Sequence, residues 1–274
     1  MCQLLGMNCN VPTDICFSFA GFQRRGGATD VHADGWGIAF FEGRGVRVFL
    51  DPQPSAASPV AELVRSYPIR SLNVIAHIRK ATQGAIKLEN THPFQRELWG
   101  QYWIFAHNGN LVDYAPHFDG RFVPVGGTDS EAAFCDILQT LAAEFPAGPP
   151  SPEALHAALR RLAIRIGAHG PFNFLLSNGE RLFAHCSTRL TYIIRHAPFA
   201  VAHLADQDVS VDFSQLTTPA DRVAIIATTP LTDNEVWQAI APGTLLAFRH
   251  GAPEEALGET ATIAGNSSAG AGSV

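Results

Sequence analysis

No stretch of the 274 residues approaches the roughly 20 consecutive apolar positions that a helix needs to cross a bilayer, so no transmembrane span is expected. The start carries no basic residue in Met1-Cys2-Gln3-Leu4-Leu5-Gly6, and Asn8 and Asn10 interrupt the apolar stretch, which excludes a secretory signal. A basic excess is missing as well. The net charge of -6 leaves no cationic face for phosphates and excludes a general nucleic-acid binder. The five cysteines are odd in number and include no CxxC pair, so neither a disulfide framework nor a metal site is expected. No internal repeat is present. These absences together point to a cytoplasmic protein with reduced thiols and no metal or other cofactor.

What is there is a chain built for a large core. With 46% hydrophobic and 16% charged residues it is too apolar to stay disordered. Short apolar runs predict strands over 36–41, 46–50, 72–76 and 102–106, then over 172–176, 181–184, 191–194, 223–227 and 244–248. Asn178-Gly179 predicts a type I′ hairpin, and residues 42–45 a looser one.

Helices are fewer. Thr128 and Glu131 read as a capping box, followed by Phe134, Ile137, Leu138, Leu141 and Phe145 at helical spacing until Pro146 stops the run. Ser151-Pro152 opens a second helix with Leu155, Leu159, Leu162 and Ile166 on one face; Glu153, Arg160, Arg161 and Arg165 form its solvated side. Ser58-Pro59 starts a shorter third. Early hairpins, two central helices and returning strands describe an α+β fold with mostly antiparallel sheet. One domain over 2–257 is expected, followed by a disordered Gly/Ala/Ser-rich tail over 258–274.

Cys2 is the first chemical clue. Removal of Met1 would leave an amine and a thiol on one residue, with reference pKa values of about 8 and about 8.5, so that they can exchange a proton near neutrality. Such a residue supplies both nucleophile and base. Arg79, at the end of an apolar strand, offers a fork for a carboxylate, and Thr82 a hydroxyl beside it. Asn108 and the Gly109 N–H could hold an oxyanion, although Asn-Gly is also a strong turn signal. Asp129 could bind an ammonium group, or simply complement a helix N-terminus. In Asp34-Gly35-Trp36-Gly37-Ile38, glycines flank a core aromatic where a strand begins. Cys135 and Cys186 read as core residues, and His92 either as a pocket neighbour or a loop histidine.

Cys2, the segment from His77 to Gly84, Asn108-Gly109 and residues 128–131, in that order, resemble the class II (N-terminal nucleophile) glutamine amidotransferases. The motifs at 34–39, 90–94 and 227–235 resemble the small stand-alone bacterial members. The resemblance implies a four-layer αββα sandwich. It implies Cys2 as nucleophile, Arg79 on the α-carboxylate of glutamine, Asp129 on its α-ammonium, and Asn108 with Gly109 as the oxyanion hole. In relatives that feed a synthase, Lys80 is commonly tryptophan and Gln83 histidine. The chain also has no room for an acceptor-modifying domain. The partners expected are therefore glutamine or a γ-glutamyl compound, and a separate ammonia-accepting synthase subunit. Hydrolysis of a γ-glutamyl peptide or conjugate, and a non-catalytic subunit role, stay open beside glutamine hydrolysis.

Overall fold

From Trp36 to Phe41 the side chains alternate between two cores: Trp36, Ile38 and Phe40 join one cluster, Ala39 and Phe41 another. A strand that is apolar on both faces must be covered on both, so its sheet lies inside the molecule. The computed structural model describes residues 2–258. Met1 lies outside the described residues, and so does the expected tail except for Gly258.

The first half of the chain forms β1 (Gln3–Thr13), α1 (Cys16–Arg24), β2 (Trp36–Glu42), β3 (Gly45–Asp51), α2 (Pro59–Ser66), β4 (Ser71–Ile78), β5 (Phe94–Leu98), β6 (Gln101–Gly109) and α3 (Asp129–Glu144). The second half adds α4 (Pro152–Gly167), β7 (Phe172–Ser177), β8 (Leu182–Cys186), β9 (Thr191–His196), β10 (Val201–His203), β11 (Ser210–Asp212) and β12 (Arg222–Ala227). It closes with β13 (Gln238–Ala239), β14 (Thr244–Arg249), β15 (Ala252–Pro253) and α5 (Glu255–Gly258).

Two large antiparallel sheets result, in the orders β13-β9-β12-β1-β4-β2-β3 and β15-β14-β8-β7-β6-β5, beside a small β10-β11 pair. Leu4, Ala39, Ile75, Ile104, Leu175 and Leu182 fill the space between them. Phe19 and Phe22 of α1 and Val64 of α2 cover the outer face of the first sheet. Phe134 and Leu138 of α3 and Leu159 and Ile166 of α4 cover the second, where the Phe105 and Phe134 rings stack at 5.2 Å. The layers are therefore helix, sheet, sheet, helix, the αββα sandwich of the N-terminal-nucleophile type.

All nine expected strands form. The Asn178-Gly179 turn is not type I′, however. Ser177 pairs with Leu182, so the loop holds four residues, and only Gly179 has a positive φ, 87°, where type I′ needs two such residues. The Asn178 side chain instead accepts the N–H groups of Glu180 and Arg181, which closes the turn from the side. The capping box at α3 is half made. Thr128 accepts the Glu131 N–H at 3.2 Å, but Glu131 reaches past the cap to the N–H groups of Val125 and Gly126 and to Arg96. Among the elements that carried no recognisable pattern are β1, α1 and β5. Polar Asn8 breaks the apolar run of β1, yet it is buried and satisfied by Asn73 and the Gly251 N–H. The aromatic-rich α1 has weak helix propensity and no side-chain cap, and its burial against the sheet holds it.

Candidate active site

The sheet order decides what meets Cys2. β1 lies between β12 and β4, with Gln3 paired to Ile78, so Cys2 stands beside the residues that follow β4. Thr228, just past β12, pins the strand from the other side. Its hydroxyl accepts the Leu4 N–H at 2.9 Å and its own N–H donates to the Leu4 carbonyl. The Cys2 sulfur accepts the Lys80 backbone N–H at 3.3 Å. Burial pushes the Cys2 thiol up, and the Lys80 hydrogen bond works against that by favouring the thiolate.

Arg79 is buried and braced by the Asp34-Gly35 turn. Its N–H donates to the Gly35 carbonyl at 2.8 Å, and the Asp34 carboxylate accepts the Ala81 N–H at 2.7 Å. Its guanidinium donates to the carbonyls of Gln83, Gly84 and Ala85, so the loop is folded around the cation. Gln83 ties this loop to the end of β6 by donating to the Asn110 side chain at 2.9 Å and the Leu111 carbonyl at 3.0 Å.

β6 comes from the other sheet and ends at Gly109 beside the same place. Asn108 is buried. Its amide donates to the Cys2 carbonyl at 2.7 Å and to the Thr228 hydroxyl at 3.4 Å, while its Oδ1 has no hydrogen-bond partner among the described residues. Gly109 is the residue the packing demands, because a Cβ there would sit 1.7 Å from the Pro171 carbonyl oxygen. Asp129 opens α3, and its carboxylate accepts the Leu111 N–H at 2.7 Å. His107 bonds the Ser130 hydroxyl at 2.9 Å, which locks the start of α3 onto β6.

Cys2, Arg79, Thr82, Gly109 and Asp129 thus line one cleft, with Asn108 immediately behind Cys2. The cleft's volume is about 20 Å³, room for about a single water. Lys80, Gln83, His92, His107, Thr128 and Ser130 complete the wall. The His92 ring packs at a tilt against His77 at 4.2 Å and Phe94 at 4.4 Å, and burial pushes the His77 and His92 imidazoles down, so they are neutral. His107, Ser130 and Thr228 were not named as site residues from the sequence; Ser130 lies in the 128–131 motif and Thr228 in the 227–235 motif, the hints available. Cys9 is engaged by the Ser71 carbonyl and Cys16 sits in α1. Among the described residues no group of His, Cys, Asp and Glu is placed to hold a metal ion. Cys135 and Cys186 are buried, as expected of core residues.

This geometry agrees with the outcome of comparison with known proteins. Residues 1–270 match the family model described as "Glutamine amidotransferases class-II". The chain belongs to the class II glutamine amidotransferases. It is 56% identical over 243 residues to YafJ of Escherichia coli, covering 89% of this chain and 95% of that protein. It is similar in structure to a Pseudomonas aeruginosa protein described as a "predicted glutamine amidotransferase", with a TM-score of 0.73, 45% identity and coverage of 92% and 98%. A Mycobacterium tuberculosis protein named "Gamma-glutamyl-hercynylcysteine sulfoxide hydrolase" is 32% identical over 175 residues, 61% of this chain and 64% of that one. The phosphoribosylpyrophosphate amidotransferase of B. subtilis, at 14% identity and a TM-score of 0.56, shares the fold. Among the described residues no helix is long and apolar enough to cross a membrane.

Proposed function

We propose that this protein is an amidohydrolase in which Cys2, freed by removal of Met1, attacks the side-chain amide of glutamine or of a γ-glutamyl compound. The observation that carries the reading is the convergence of the Cys2 sulfur, a buried arginine and an acidic helix start on one cleft at the meeting ends of two sheets.

The roles follow from chemistry. The free amine of Cys2 takes the thiol proton, and the thiolate forms a bond to the amide carbon. Negative charge then develops on the amide oxygen, where the proposed donors are the Gly109 N–H and the Asn108 amide, the latter after giving up its hydrogen bond to the Cys2 carbonyl. The proton returns to the amide nitrogen, the C–N bond breaks, and ammonia or an amine leaves. Water attacks the γ-glutamyl thioester, releasing glutamate and restoring the thiol. Arg79 grips the α-carboxylate and Asp129 the α-ammonium, so both charged ends of the γ-glutamyl group are anchored. Thr82 offers a hydroxyl at the same wall. We place this activity in the cytoplasm, in keeping with five cysteines that are all free. Transfer of the ammonia to a separate synthase is a compatible arrangement.

A second reading makes a γ-glutamyl conjugate the substrate. It is favoured by the relative named as a γ-glutamyl hydrolase. Glutamate release from glutamine and from γ-glutamyl dipeptides, compared in the wild type and in Cys2→Ala, tests both. Cys2→Ala is expected to fold and to release none.

A further inference from the structure

The chain contains two lysines, Lys80 and Lys87, both between β4 and β5. Lys87 has Glu89 as an ionic partner at 3.8 Å. Lys80 is exposed, and its ammonium has no ion-pair partner among the described residues. Yet Lys80 is the residue whose backbone N–H binds the Cys2 sulfur, so its four-carbon stem begins one residue from the reacting centre. Asp34, the carboxylate braced against this turn, is occupied by the Ala81 N–H.

The charges of the cleft can be matched against those of a substrate. Under the hydrolase reading above, on which this inference rests, the γ-glutamyl group uses Arg79 for its carboxylate and Asp129 for its ammonium. That leaves Lys80, which lines the same cleft, as a cation without an assigned partner. Glutamine has nothing to offer it, since its leaving group is neutral ammonia. A γ-glutamyl amino acid or peptide places a carboxylate just beyond the scissile bond. We propose that Lys80 is a specificity-determining residue that binds this leaving-group carboxylate, and that the preferred substrates are γ-glutamyl amino acids or short peptides. Water then cleaves the C–N bond through the Cys2 thioester, giving glutamate and the free amino acid or peptide.

An exposed ion pair is modest and screened by salt, so the expected preference is several-fold at low ionic strength and smaller at high. The test measures kcat/KM for γ-glutamylglycine, for γ-glutamylglycinamide, whose carboxylate is capped, and for glutamine. It uses the wild type, Lys80→Gln and Lys80→Arg. In the wild type γ-glutamylglycine should exceed γ-glutamylglycinamide by roughly two- to fivefold at low salt. Lys80→Gln should bring the ratio near one, and Lys80→Arg should keep a preference. Because the readout is a ratio, a general loss of activity in a variant does not mimic the effect. Turnover of all three substrates with a ratio that Lys80→Gln leaves unchanged, or with glutamine as the best, overturns the assignment of Lys80 alone. Absence of any Cys2-dependent turnover overturns the hydrolase reading, and this assignment with it.

Discussion

The sulfur of Cys2 accepts a hydrogen bond from the backbone N–H of Lys80 at 3.3 Å, across 78 residues of sequence. This contact joins the start of β1 to the turn that carries Arg79, and so the proposed nucleophile to the proposed carboxylate anchor. The pairing of β1 with β4 makes the contact obligatory, because Gln3 faces Ile78 in the register.

Gly109 should tolerate no side chain. The Cβ of Gly109→Ala would lie 1.7 Å from the Pro171 oxygen and 2.5 Å from Nε2 of His107, so the end of β6 must shift. Misplacing one oxyanion donor is expected to lower kcat by about 10²–10³. Steady-state kinetics on variant that retains its circular-dichroism spectrum checks this. Activity within about threefold of wild type would remove Gly109 from the proposed oxyanion hole.

Arg79→Lys should fail as a conservative change. A point charge cannot span the carbonyls of Gln83, Gly84 and Ala85, nor grip a carboxylate with two parallel bonds. Loss of a charged hydrogen bond of about 1.5–3 kcal/mol corresponds to a rise in KM of roughly 10- to 150-fold. The change in kcat should be the smaller one, since the anchor acts on ground and transition states alike. An unchanged KM would contradict the assignment.

Acid should weaken the fold through the buried histidines. Burial pushes His77 down to about 3 and His92 well below its ordinary range. The unfolded chain binds protons at these groups near pH 6.5, whereas the folded chain does not. For His77 the stabilisation is therefore complete above about pH 6.5 and is lost as the pH falls from there toward about 3, and His92 loses its own in the same direction. Each histidine contributes a slope of up to about 1.4 kcal/mol per pH unit inside that window. The Tm, followed from neutral pH into the acid range, should drop more gently in His77→Gln than in the wild type. An identical slope would mean that His77 is not held neutral by burial.

Much of the fold was legible because both sheets are buried on two faces. Residues such as Ile38, Ala39, Phe40 and Phe41 form a continuous apolar run that has few alternatives to an inner strand. Thr128 and Ser151 marked their helix starts for an equally local reason, since each accepts an N–H three residues on. What stayed hidden depends on distant partners. Asn8 reads as an interruption until Asn73 satisfies it across 65 residues. The role of Thr228 in pinning β1 needs the Leu4 N–H, 224 positions away. The proposed site residues were first singled out one by one for their chemistry, and the family resemblance then gave roles to Cys2, Arg79, Asn108, Gly109 and Asp129. Their individual patterns fitted turns and caps equally well, and Asn108 in this structure donates to the Cys2 carbonyl, behind the cleft.

The central claim is that Cys2 acts as an N-terminal nucleophile, and the most direct measurement combines intact mass with glutamate release before and after alkylation of Cys2. The account predicts a chain shortened by Met1 that releases glutamate from glutamine or a γ-glutamyl dipeptide and stops when Cys2 is alkylated. A chain that keeps Met1 and is fully active, or one whose activity survives complete alkylation of Cys2, would contradict it.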